Sequence, residues 1–257
     1  MKVYWDYFFR LEEDGVRFKN FSLTHIVIVF FIFFCCYLIY KNRFEIRKDM
    51  KLNRGLRIFL IGLILIQQFI FYYFFLANAY YSIKDLLPLY TCRVALLAGL
   101  FALIFSSYKL KAINIYWGSI GGIIPLIVTD IMPYNFPHAM FISFFMTHAA
   151  ILWTAAIFIF VDNYSFSAGD LKFMYYVANF QILFSLVLND VLGANYAYLN
   201  ESPIFTEYFA SIPRILYLIL VFAIYNLLIY IVYTIGNLWI KNGNRFKNID
   251  NAEIIEG

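Results

Sequence analysis

Residues 139–161 read AMFISFFMTHAAILWTAAIFIFV. The stretch has no Asp, Glu, Lys or Arg, and as a helix at 1.5 Å per residue it covers about 34 Å, enough to cross a bilayer's hydrocarbon core. Its apolar character is continuous, whereas a barrel strand alternates over roughly ten residues, so the stretch predicts a membrane helix. The same pattern recurs on both sides of it. Apolar runs at 22–40, 58–81, 86–106, 112–132, 139–161, 171–191 and 212–240, parted by short polar breaks, predict seven spans. Of the 257 residues, 63% are hydrophobic and 14% charged, too few charges to coat a water-soluble domain. The expected fold is all-α: a polytopic membrane bundle of seven transmembrane helices at 22–240. An interfacial segment at 1–21 precedes it and a tail at 241–257 follows. No repeat or linker divides the bundle.

Lys and Arg fall unevenly between the breaks. One side collects thirteen, seven of them between Lys41 and Arg57, and the other six, with Arg93 inside the apolar region. The positive-inside rule therefore predicts an amino terminus outside and a cytoplasmic carboxyl terminus, with the chain in the cell membrane as a multi-pass protein. The first apolar run is long enough to span and lacks a small-residue cleavage pattern, so it reads as a retained helix. Aromatic residues from Val3 to Leu11 suit the interface. Three cysteines, two of them the neighbours Cys35 and Cys36, predict no disulfide framework. The net charge of +4 is a topology signal and implies no nucleic acid.

Within the spans, Gly118 and Gly122 permit close helix approach and Pro125 predicts a bend. Gln181, Ser185 and Asn189, four residues apart, form a polar stripe suited to interhelical hydrogen bonds or to a cavity wall. Cys92 and His148 are the chemically expressive pair. Both lie in apolar spans that enter from the same predicted face, where His25, Asp130, His138, Asp190 and Asn195 also gather. A Cys with a His is the minimal set for nucleophilic acyl transfer, in which imidazole takes the thiol proton and the thiolate attacks a carbonyl. Arg93, next to the thiol, would favour the thiolate or hold a phosphate. Cys92 also lines up with Ala95, Gly99 and Ala102 as a seam of small residues, where a thiol merely packs. His138 and His148, ten residues apart, miss the four-residue spacing of a helical zinc site, so neither a metal nor a cofactor is expected.

The stretches LPLYTCR (87–93), YWGSIGG (116–122), FPH (136–138), FFMTHAAIL (144–152) and GANYAYL (193–199) resemble the YwaF-like bacterial membrane proteins and their animal relatives, the transmembrane protein 164 acyltransferase family. The resemblance implies a seven-helix lipid-modifying enzyme in which Cys92 and His148 carry acyl transfer, with Asn195 and Tyr196 in the turn after the sixth span. Tyr90 stands where the bacterial members usually carry a His. The function expected is an acyltransferase or transacylase that moves a fatty acyl chain from a membrane phospholipid to a lipid or lipoprotein acceptor near the outer leaflet. Cys92 and His148 would be catalytic, and Arg93, Asn189, Asn195 and Tyr196 would bind substrate. Two other classes fit the same residues: a non-catalytic lipid-binding, sensor or scaffold protein, and a small-solute transporter.

Overall fold

The computed structural model describes residues 2–77, 83–129, 131–203 and 205–255. The described residues form helices and connecting turns, without strands. A short α1 (Lys2–Phe8) leads to α2 (Leu23–Lys41), α3 (Arg43–Lys48) and α4 (Met50–Ala77); α5 (Ile83–Leu86) precedes α6 (Thr91–Phe105) and α7 (Tyr108–Ile127). Next, α8 (Ala139–Ala156) runs into a π-helical turn (Ile157–Val161), then come α9 (Ala168–Leu192), α10 (Thr206–Ala210) and α11 (Arg214–Ile255). Six of these are long and apolar enough to cross a membrane: α2, α4, α7, α8 with its π turn, α9 and the Arg214–Trp239 part of α11.

The apolar run at 86–106 is the exception. Its helix, α6, has 15 residues, about 22 Å of rise. Pro88 disfavours helical backbone at Leu87, and Tyr90 is extended, so the helix starts only at Thr91. At its other end Ser106 turns left-handed, with φ 54°, and stops it.

This shorter helix lies at the centre. One turn of α7 carries three glycines, and each is needed for close approach. A Cβ on Gly118 would fall 2.8 Å from Ile151 of α8, one on Gly122 3.0 Å from Leu152, and one on Gly121 2.9 Å from the Cys92 backbone nitrogen of α6. The predicted Gly118–Gly122 contact is thus made, and α6 and α8 both rest on the same turn. Trp117 and Tyr116 are fully buried there. Around this core α2, α4, α9 and α11 expose Phe30, Phe69, Phe180 and Leu227, as helices facing lipid do.

Each end of the bundle is tied differently. At one end Asp162, just past the π turn, accepts from Arg57 of α4 and Lys111 of α7, while Arg47 of α3 donates to the carbonyls of Phe160 and Val161. At the other end Trp5 donates to Tyr73, and Arg10 pairs with Asp14. Asp14 also accepts the Asn135 N–H, and Tyr134 donates to the Leu11 carbonyl.

Candidate functional site

His148 lies on the α8 face that meets α7, one turn before Ile151 and Leu152. Its Nδ1 sits 2.7 Å from the Phe144 carbonyl. A carbonyl only accepts, so Nδ1 carries the ring hydrogen and Nε2 is left as a bare lone pair. The residue is 3% exposed, yet Nε2 has no hydrogen-bond partner. An unmatched buried polar atom costs about 1–3 kcal/mol. The arrangement is that of a neutral base aimed into a closed interior.

Cys92 occupies the first turn of α6, half-buried, with its backbone against Gly121. Gly121 faces Cys92 and Gly122 faces Leu152, so His148, four residues before Leu152, lies about 6 Å, one helical turn, from the level of Cys92 on the neighbouring helix. No hydrogen bond joins them, because His148 Nε2 is unpartnered. The seam below Cys92 is real packing: Ala95 and Ala102 are fully buried, and a Cβ on Gly99 would fall 2.7 Å from Asn114 Nδ2, which donates to the Ala95 carbonyl.

Arg93 turns away from the thiol toward α4 and α5. Its guanidinium donates to the carbonyls of Asp85 and Leu87 and to the Tyr72 hydroxyl, and it stacks 4.1 Å over Phe71. The polar stripe of α9 divides. Gln181 accepts from Trp117 Nε1 at 2.8 Å and donates to the Leu89 carbonyl at 2.8 Å, tying α9 to α7 and to the entry of α6. Asn189 holds both the N–H and the carbonyl of Tyr196. Ser185, between them, keeps a buried hydroxyl without a partner.

Asn195 and Tyr196 belong to the turn that Asn189 fixes. Asn195 donates to the Glu201 carbonyl and accepts the N–H groups of Asn200 and Glu201. Tyr196, fully buried, donates to the Lys84 carbonyl and meets Tyr90 edge-on at 5.4 Å. Burial and nearby Asp85 push its phenol above the ordinary range. Together the turn and α5 bound a cavity of about 460 Å³ lined by Lys84, Asp85, Tyr90, Asn195, Asn200 and Glu201. Tyr90 also precedes α6, so this polar cavity adjoins the entry of the helix that carries Cys92, though Cys92 itself does not line it.

Of the other residues the sequence groups at this end, His138 and His25 are fully engaged in packing, and Asp190 pairs with Arg214 at 3.0 Å. Asp130 lies outside the described residues. Sequence reasoning misses Tyr225 of α11, whose ring meets Trp117 edge-on at 5.6 Å and whose hydroxyl stands 3.5 Å from the Ala197 carbonyl. In a chain with 22 tyrosines nothing marks this one.

A multi-pass helical membrane protein with a thiol, an imidazole and a polar cavity set around one central helix is the class that fold and site define. The chain belongs to the TMEM164 family, whose model matches residues 20–240 and so takes in all of α2 to α9 and the apolar part of α11. Nothing among the curated proteins or the solved structures matches it.

Proposed function

We propose that the protein is a cysteine-dependent acyltransferase or transacylase of the cell membrane, moving a fatty acyl chain from a phospholipid to a lipid or lipoprotein acceptor. The observation that carries this reading is the open Nε2 of His148, held as a lone pair by Phe144 and buried without a partner about one helical turn from the level of Cys92. A packing histidine gains nothing from such an arrangement. A general base requires it. Nε2 takes the Cys92 proton, the thiolate attacks the ester carbonyl, and the departing alkoxide recovers the proton, leaving a thioester on Cys92. The acceptor then reverses these steps. The thiol–imidazole bond forms when substrate closes the site, since catalytic hydrogen bonds commonly tighten in the reacting complex.

In this reading α6 is the seventh span, short because it is sheathed by protein, and the amino terminus lies outside. The 460 Å³ cavity is the polar end of the substrate site. Asn189, Asn195 and Tyr196 shape it, and Arg93 anchors the α5 wall. A cysteine introduced beside Lys51 should then resist an impermeant thiol reagent applied to intact cells, and labelling there would invert the orientation.

The chemical test uses vesicles whose phospholipid carries a labelled acyl chain. Protein stopped during turnover should bear that chain on Cys92, and hydroxylamine should remove it. Cys92→Ala should acquire no label and transfer none at normal abundance. Undiminished transfer by well-folded Cys92→Ala rules out the mechanism.

A further inference from the structure

Between its first two long helices the chain makes an elbow, α3, whose exposed side chains serve neither the core nor the site. Helix lengths fix its depth. The 19 residues of α2 just suffice to cross a bilayer and end at Lys41. By contrast α4 has 28, against the roughly 20 that a crossing needs, so its first two turns, from Met50 to Arg57, project beyond the hydrocarbon together with α3. The whole stretch therefore sits at the level of the lipid headgroups.

The fold sorts the basic residues of this stretch into two sets. Arg47 donates to the carbonyls of Phe160 and Val161 and to Asn163, and Arg57 pairs with Asp162. With Ile46 buried beside them, these bonds lock the elbow onto the end of α8. Arg43 folds back over the rings of Tyr40 and Phe44, 4.3 Å from each. Lys41, Lys48, Lys51 and Arg54 are exposed, and none pairs with an acidic side chain among the described residues. Two carboxylates share the stretch: Asp49 caps α4 by accepting the N–H groups of Lys51 and Leu52, and Glu45 is exposed. Large apolar side chains stand among the free bases, Phe44 at 47% exposure and Met50 at 82%. Helical spacing puts Met50, Lys51, Arg54 and Ile58 on one exposed side of α4. Bases that reach phosphates, interleaved with apolar groups that reach the acyl boundary, make an interfacial surface.

We propose that the elbow from Lys41 to Arg54 is a docking surface for the headgroups of anionic phospholipids in the leaflet around it. Charge complementarity selects the occupant, since four exposed bases outnumber the two carboxylates, one of which is engaged as a cap, and an anionic headgroup layer lies at this depth. A zwitterionic headgroup offers these bases no net charge. Because the surface is held rigid by Arg47 and Arg57, little ordering opposes the contact. Cys92 lies toward the other end of α4, where Arg93 meets Tyr72, so the proposal stands independently of the acyl-transfer reading.

The test uses full-length protein reconstituted in phosphatidylcholine vesicles, with spin-labelled phosphatidylglycerol and spin-labelled phosphatidylcholine as probes, and reads the fraction of each immobilised against the protein. Wild type at low salt should hold phosphatidylglycerol about fivefold better, the weight of one surface base. In about 1 M salt, where screening acts within about 3 Å, the ratio should approach one. Lys48→Gln with Lys51→Gln should reduce the low-salt preference, whereas Arg17→Gln with Lys19→Gln, which removes the same charge ahead of α2, should leave it. Equal retention of the two probes by wild type overturns the proposal, as does a preference that survives high salt. A preference that Lys48→Gln with Lys51→Gln does not touch, or that both paired variants reduce alike, overturns it as well, since neither is a property of this surface.

Discussion

His138 and His148 stand ten residues apart on the same stretch of chain, both buried, and the fold treats them in opposite ways. His138 caps α8: Nδ1 accepts the Met140 N–H at 3.0 Å, Nε2 donates to the Arg10 carbonyl at 2.9 Å, and Tyr134 stacks on the ring at 3.9 Å. His25 is just as fully used, accepting from the Phe21 N–H and donating to the Leu126 carbonyl. In both, each ring nitrogen has a structural duty. His148 alone of the three keeps an unmatched nitrogen. A histidine that joins two segments of backbone is architecture, whereas one that leaves a lone pair open in a sealed interior carries a cost of about 1–3 kcal/mol and keeps a base available for chemistry.

The largest effect should come from closing that lone pair while keeping the fold. His148→Asn suits the purpose, because Asn179, Asn226 and Asn237 already donate to carbonyls four residues back in their own helices, as His148 does to Phe144. The variant keeps the helical bond and loses the base. Acyl transfer should fall by about 10²- to 10⁴-fold with abundance and thermal stability near wild type. Unaltered transfer would erase the contrast between the two histidines.

His138→Ala should show the opposite pattern. Loss of the cap removes roughly 0.5–2 kcal/mol of stability, and the Arg10 carbonyl loses its donor as well. The midpoint of thermal unfolding should drop, while transfer per folded molecule is retained. A variant as stable as wild type would deny His138 its structural role.

A smaller effect follows from acid. Burial holds the His138 imidazole below its ordinary 6.5, and the Asn135 N–H and Arg10 hold the Asp14 carboxyl below its ordinary 3.8. Both groups bind protons less readily folded than unfolded, so each stabilises the junction above its ordinary value and loses that contribution as pH falls, His138 first and Asp14 later. Protection factors of residues 9–16, the exchange rates corrected for the intrinsic fall of amide exchange with pH, should therefore drop below about pH 6.5, with α7 and α8 little changed. Protection that rises on acidification would reverse the sign and contradict the account.

Much of this was legible in the sequence, for reasons that differ between residues. Apolar run lengths mark the spans because lipid offers no partner to a peptide group. Gly118 and Gly122 announce the α7–α8 contact because small residues admit a second backbone, and Gly121 extends the same logic to α6. Chemistry-bearing residues in apolar context single out Cys92 and His148. What one dimension conceals is direction. Arg93 adjoins Cys92 in sequence yet turns its guanidinium toward α5 carbonyls. The stripe of α9 is regular, but Gln181 and Asn189 are spent on Leu89 and Tyr196 while Ser185 is not. Tyr225 lies more than a hundred residues from Trp117, whose ring it meets edge-on, and no periodicity records that meeting. The short α6 was hidden as well, because the apolar run at 86–106 does not reveal that Pro88 and Tyr90 delay the helix.

The central claim, that His148 Nε2 activates the Cys92 thiol, is tested most directly by the rate at which iodoacetamide alkylates Cys92, read by mass spectrometry in wild type and in His148→Asn. The thiolate is the reacting form, so loss of the base should slow alkylation at neutral pH by at least about tenfold, and the deficit should shrink as pH rises and hydroxide ionises the thiol unaided. Equal rates in the two proteins across that range would mean that the imidazole and the thiol do not communicate.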